Sequence, residues 1–176
     1  MTERDKPVVY LIGTATPPVR ELAEPVGLLH EAGWEVCVVL SPTAASWVDV
    51  DALAERTGHP VRVRPPLPSE REPLPMADAV LAAPVTFNSL NKIAAGISDT
   101  LAVSRINELL VSGVPTTAAP CVKAVLRQHP AYPASTRLLA DAGVRLLDPD
   151  ALTSRGTDGL ATFDWNTAVT EFLEPE

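Results

Sequence analysis

Residues 79–101 read AVLAAPVTFNSLNKIAAGISDTL, and this stretch decides the fold. Its opening, residues 79–83, is short, apolar and uncharged, as a strand buried on both faces must be. Pro84 is expected to stop that strand, and Val85-Thr86-Phe87-Asn88-Ser89 to form a polar loop of mostly small residues. Beyond it Leu90, Ile93, Ala94 and Ile97 recur at helical spacing. A strand ending in a polar loop that feeds a helix is the usual binding corner of an open α/β sheet. Ligands there sit outside the carboxyl ends of the strands, where free backbone N–H groups face anionic groups. The same residues also have a structural use, with Ser89 or Asn88 capping the helix. Composition gives the two uses equal weight.

Working outward, residues 8–12, VVYLI, form a first parallel strand, apolar on both faces and rich in β-branched side chains. It ends in Gly13-Thr14-Ala15-Thr16-Pro17-Pro18, and a helix over 19–32 follows, closed by Gly33. Small residues in this turn let an anion approach the backbone. It is no dinucleotide fingerprint, because only Gly13 stands where three glycines are needed. Residues 35–40 are a second strand, and the hydroxyls of Ser41 and Thr43 open a helix over 43–56. Phosphate binding and N-capping are both open to that pair, with capping the better reading from these residues alone. Trp47 shares a face with Val50 and Leu53 and is assigned to the core, with stacking on a ligand as the minor alternative.

Residues 61–63 are a short third strand. The proline-rich segment 65–75, carrying Glu70, Arg71 and Glu72, suits neither helix nor central strand, so it is an exposed loop or a flap over the site. After the opening stretch the pattern continues as a helix over 104–110, a fifth strand over 114–119 and a loop or short helix over 120–129. A helix over 131–142, a sixth strand over 144–147, a polar tail over 149–162 and a last helix over 166–173 complete it. Strand and helix alternate without a repeat or a dividing linker. The fold class is therefore α/β, a doubly wound parallel sheet of about six strands in a single domain over 1–176.

With 22 acidic against 14 basic residues, the net charge of -8 argues against nucleic acid and anionic membrane as partners. Cys37 and Cys121 have no metal-ligand spacing, and Cys37 reads as a reduced core thiol. A charged opening, MTERDKP, and the lack of any membrane-length apolar run lead to the expectation of a cytoplasmic protein. No G-x-S-x-G elbow, Walker sequence or histidine pair at metal spacing is present. His30, His59 and His129 suit surface or capping roles.

These residues carry a family pattern. Lys92-Ile93-Ala94, Gly96-Ile97, Asp99 and Leu101 match Lys-Ile-Ala-x-Gly-Ile-x-Asp-x-Leu, and Pro84 to Ser89 is a loosened Pro-Ala-Ser-Ala-Asn-Thr. The Gly13-Thr14-Ala15 turn, the segment Ser41 to Trp47, Ala77-Asp78 and Ala119-Pro120 extend the match over most of the chain. The sequence resembles the homo-oligomeric flavin-containing cysteine decarboxylases, which include phosphopantothenoylcysteine decarboxylase and the lantibiotic peptide decarboxylases. The resemblance implies a Rossmann-like (flavodoxin-like) subunit that binds FMN and assembles as a trimer or a multiple of trimers. It assigns Gly13, Thr14, Ala15, Ser41 and Thr43 to the ribityl phosphate, with Trp47 ending that segment as its aromatic residue. Pro84, Val85, Thr86, Asn88 and Ser89 are assigned to the isoalloxazine ring.

Two departures bear on chemistry. The family's decarboxylase histidine falls on Glu70, and the asparagine of its Pro-Ala-Met-Asn-x-x-Met clamp falls on Lys123, within Pro120-Cys121-Val122-Lys123-Ala124-Val125-Leu126. Phe87 is also bulky where the family has alanine. The resemblance thus implies a kept flavin site beside rebuilt or lost decarboxylase machinery. The first expectation is FMN-dependent redox or decarboxylase-like chemistry on a small substrate, with Lys123 and Glu70 facing it. The alternative is a non-catalytic flavin-binding or partner-binding protein. A relative of the flavin prenyltransferases is a third, weaker reading, because the Asn88 loop stands nearer the decarboxylases.

Overall fold

The computed structural model describes residues 6–155 and 161–174. Five parallel strands, β1 (Val8–Gly13), β2 (Glu35–Leu40), β3 (Ala79–Val85), β4 (Thr116–Pro120) and β5 (Val144–Leu146), form one sheet in the order β2-β1-β3-β4-β5. Successive side chains in a strand point to opposite faces, and both faces here are covered. Val9, Leu11, Val38 and Leu81 pack on one side against α1 (Ala23–Glu31), α3 (Val50–Thr57) and α9 (Trp165–Leu173). Val8, Tyr10, Ile12 and Val80 pack on the other against α4 (Phe87–Ala94), α5 (Leu101–Val111) and α7 (Ala131–Asp141). The chain leaves β1 for β2 on one side and returns to place β3 on the other. The gap between the carboxyl ends of β1 and β3 is therefore a topological switch point, where open α/β sheets bind ligands.

The expected strand over 61–63 is reduced to a single bridge between Arg62 and Val39, so the sheet has five strands rather than about six. Pro60 before it and Pro65 and Pro66 after it leave too little chain with free N–H groups to extend a ladder. Pro84 does not stop β3. The strand runs through it to Val85, and the register against β4 shifts between Ala82 and Val85, where the proline has no N–H to give.

The helix expected over 43–56 is two helices, the short α2 (Pro42–Ala45) and α3, because the Asp49 carboxylate accepts the Ala52 N–H and starts a new helix there. Trp47 falls in the break. It is 44% exposed, so its assignment to the core is corrected. A 3-10 turn over Pro17–Glu21 precedes α1, as two adjacent prolines favour. The cap of α4 is Thr86, whose hydroxyl accepts the Ser89 N–H at 2.9 Å, rather than Ser89 or Asn88.

The short α6 (Ala124–Arg127) and α8 (Pro149–Leu152) flank the carboxyl end of β4 and the chain after β5. Within the polar tail, β6 (Thr153–Arg155) and β7 (Ala161–Phe163) pair as an antiparallel hairpin that the sequence reading missed. Residues 156–160 of that tail lie outside the described residues. No helix among the described residues is long and apolar enough to cross a membrane.

Candidate functional site

A cleft of about 660 Å³ opens at the carboxyl ends of β1, β3 and β4. Its walls are Ala15, Thr16 and Pro17 after β1, Thr86, Phe87 and Asn88 after β3, and Cys121, Val122 and Lys123 after β4. α6, Asp150 of α8, and Thr153, Ser154 and Ala161 of the hairpin close its far side. Three turns from three adjacent strands thus converge, which is what the switch-point geometry requires.

Thr14 fixes the first two turns together. Its amide and its hydroxyl both donate to the Pro84 carbonyl, at 2.9 and 3.0 Å, and the hydroxyl accepts the Thr86 N–H at 2.9 Å. The third turn is tied to the second by Cys121 N–H donating to the Val85 carbonyl at 2.9 Å. Thr86 then donates its own hydroxyl hydrogen to the Ser89 hydroxyl at 2.9 Å. Thr14, Pro84, Val85 and Ser89 are buried and serve this framework, so they position the cleft rather than line it. Gly13 is closely packed: a Cβ there would lie 3.0 Å from Leu40 Cδ2 and 3.1 Å from Val19 Cγ2, so both side chains would have to shift by a few tenths of an ångström.

At the second corner the Ser41 amide donates to the Gly13 carbonyl at 3.1 Å, setting the β2 turn beside the β1 turn. The Ser41 hydroxyl caps α2 by accepting the Ala44 N–H at 3.3 Å. Thr43 is exposed, and Trp47 stands with Pro17 and Arg20 around a separate hollow of about 460 Å³. Ala15, Thr86, Asn88 and Lys123 are the sequence-assigned residues that share the main cleft. Glu70 is not in its wall. The Glu70 carboxylate accepts the Leu67 N–H at 2.9 Å and so holds its own loop.

The flap is anchored rather than free. Glu72 pairs with Arg62 at 3.2 Å and with Arg105 of α5, the Tyr10 hydroxyl donates to the Pro75 carbonyl at 2.8 Å, and Leu74 is buried.

Phe87 stays in the cleft wall. Its ring meets the His129 imidazole edge-on, with centroids 5.6 Å apart. Lys123 is exposed at the start of α6 and pairs with no carboxylate among the described residues. The one acid in the cleft wall, Asp150, is held by the Arg127 guanidinium through two bonds of 2.7 and 3.0 Å. Those bonds keep its carboxyl below the ordinary carboxylate range. Burial pushes the Cys121 thiol up, with the Thr16 hydroxyl beside it acting the other way. The described residues contain no cluster of three or more metal-ligating side chains.

Sequence reasoning missed Thr16, Arg127, Asp150 and the hairpin. Arg127 and Asp150 are 23 residues apart, and no local pattern marks a pair at that separation.

Comparison with known proteins agrees with this architecture. The family model described as Flavoprotein matches residues 2–174. The coenzyme A biosynthesis bifunctional protein CoaBC of Thermococcus kodakarensis is 31% identical over 124 residues, which are 66% of this chain and 30% of the relative. The alignment thus spans about a third of the length of that curated relative. A PPC decarboxylase mutant complexed with pantothenoylaminoethenethiol has the same fold, with a TM-score of 0.74 at 19% identity over 95% of this chain and 96% of that one. The FMN-dependent cysteine decarboxylase SpaF superimposes with a TM-score of 0.72 at 20% identity, over 94% of each chain. The FMN binding protein AtHal3 does so with a TM-score of 0.72 at 18% identity, over 95% of each chain. With the match running over nearly its whole length, this chain is a member of the Flavoprotein family.

Proposed function

We propose that the chain binds FMN in the cleft at the ends of β1, β3 and β4, and uses it for redox or decarboxylase-like chemistry on a small carboxylated substrate. The carrying observation is the cleft itself, a predominantly apolar space of about 660 Å³ at the switch point with a few polar groups converging on it. A flat ring system fits such a space. Ala15, Pro17 and Val122 supply apolar walls, and the Asn88 amide, which has no partner among the described residues, is free to meet the ring's polar edge. Similarity to proteins named for FMN supports the choice of flavin.

When bound, FMN supplies redox chemistry that no side chain has. The protein's part is to bind and orient. Lys123 offers a substrate carboxylate a point charge at the rim, without the directed donor and acceptor of an amide. Glu70 holds its loop away from the cleft, so the proposed chemistry rests on Lys123. Exposed Val125 and Leu126 on α6 give apolar surface beside the mouth for the proposed assembly into a homo-oligomer, a trimer or a multiple of trimers.

A second reading, flavin binding without catalysis, has its own support. Among the described wall residues Asp150 is occupied by Arg127 and no histidine is present, which leaves Lys123 as the one unpaired ionic group. The test is the absorption spectrum of freshly purified protein with identification of any released chromophore, followed by anaerobic incubation with thiol-bearing acids. FMN with turnover that is lost in Lys123→Ala supports the first reading. FMN without turnover supports the second, and a colourless protein that refuses added FMN contradicts both.

A further inference from the structure

The turn after β1 is short of free backbone N–H donors for an anion. A phosphate cradle needs several free N–H groups at one place. Here the Thr14 amide is bonded to the Pro84 carbonyl at 2.9 Å, the Thr16 amide to the Thr14 carbonyl at 2.8 Å, and the Val19 amide to the Thr16 carbonyl at 3.0 Å. Pro17 and Pro18 have no N–H at all. The Thr14 hydroxyl donates to Pro84, while the Ser41 hydroxyl accepts the Ala44 N–H and keeps its own hydrogen to donate. Ala15 alone keeps a free amide in this turn among the described residues.

An unpaired cation stands beside the same turn. Arg20 projects from the 3-10 turn that these prolines build, is exposed, and makes no ion pair among the described residues. With Pro17 and the exposed Trp47 it surrounds the hollow of about 460 Å³, and Pro17 is also a wall of the main cleft. The two spaces therefore meet at one residue. A second guanidinium, Arg56, lines a neighbouring hollow with Arg20, and the acid there, Asp49, is spent on capping α3. Glu21 and Asp49 stand near these guanidinium groups, but neither forms an ion pair with Arg20, whose charge faces the hollow walled by Trp47.

We infer that Arg20 holds the phosphate of the bound flavin in the hollow beside Trp47, in place of a backbone cradle after β1. This rests on the proposed flavin site and assigns it a further residue. A guanidinium meets a dianionic phosphate with two parallel N–H donors and keeps its charge at all working pH values. The prolines that lack backbone donors also set the turn that carries Arg20. Arg20 thereby becomes the residue by which the chain tells FMN from riboflavin, which has the same ring and ribityl chain without the phosphate.

The test is a pair of equilibrium titrations, FMN and riboflavin, on flavin-free wild-type protein and on Arg20→Ala, followed by flavin fluorescence. The exposed, unpaired position of Arg20 makes the variant a mild one for the fold, and circular dichroism checks it. Wild type is expected to prefer FMN by about 10- to 100-fold, the range of charge-assisted bonds. Arg20→Ala should lose most of that preference with riboflavin affinity unchanged, Arg20→Lys should recover part of it, and salt should weaken FMN alone. Equal affinity for the two flavins in wild type, or a preference that survives Arg20→Ala, overturns the assignment while leaving the flavin site standing. Failure of both flavins to bind wild type contradicts the flavin site itself, and the assignment falls with it.

Discussion

Thr14 and Thr86, 72 positions apart, are joined by a hydrogen bond of 2.9 Å from the Thr86 amide to the Thr14 hydroxyl. That hydroxyl donates in turn to the Pro84 carbonyl, so one buried side chain sets the spacing of two turns across the switch point. Thr14→Val keeps the shape and removes the hydroxyl's bonds. It is expected to destabilise the fold by about 1–3 kcal/mol, the cost of leaving a largely buried donor without its partner. Denaturant melts check the stability. A flavin titration checks the second consequence, a loss of affinity although Thr14 does not line the cleft.

Cys121 provides a chemical probe of the cleft. Burial raises its thiol, so alkylation of native protein should be slow at neutral pH and accelerate only above the ordinary thiol range. Cys37 is fully buried and should stay silent until the protein unfolds. FMN, filling the cleft that Cys121 lines, should slow its alkylation. Mass spectrometry of the modified peptide reads all three outcomes.

Much of this was legible in the sequence, and the reasons differ by element. The strands over 8–12 and 35–40 were clear because buried parallel strands are continuously apolar. The corner after β3 was found because a helical period follows an apolar run. Trp47 misled because its helical spacing with Val50 and Leu53 counts only if one helix spans them, and the Asp49 cap divides it. The β1 turn was read as an anion cradle from residue size. Most of its backbone donors are bonded to Pro84 or within the turn, Ala15 excepted, which a one-dimensional pattern does not show. The Arg127–Asp150 pair depends on α6 and α8 meeting across the cleft.

Asp164 caps α9, the helix that buries Trp165 and Val169 against the sheet. Its bonds from the Thr167 amide and hydroxyl hold the carboxyl below its ordinary value. A carboxyl depressed in the folded state contributes stability above its unfolded pKa and loses it as pH falls through the folded one. Asp164→Ala should cost about 1 kcal/mol at neutral pH. The gap from wild type should close as the solution is acidified below the usual carboxylate range, as thermal melts across pH will show.

Glu72 is the clasp of the proline-rich segment, pairing with both Arg62 and Arg105. These side chains are about a quarter exposed, so Glu72→Gln is expected to cost only about 1 kcal/mol globally. Its larger effect should be local, with faster tryptic cleavage at Arg71 under native conditions, each protein being scaled to its own rate when unfolded. Unchanged cleavage would show that Tyr10 and Leu74 hold the segment without the ion pairs.

The account stands most directly on a titration of flavin-free protein with FMN, wild type beside Asn88→Ala, followed by quenching of flavin fluorescence. Saturable binding of one FMN per chain is predicted, weakened about 5- to 10-fold in Asn88→Ala by the loss of an amide bond to the ring. Absence of saturable binding to correctly folded wild type would contradict the claim that this cleft is a flavin site.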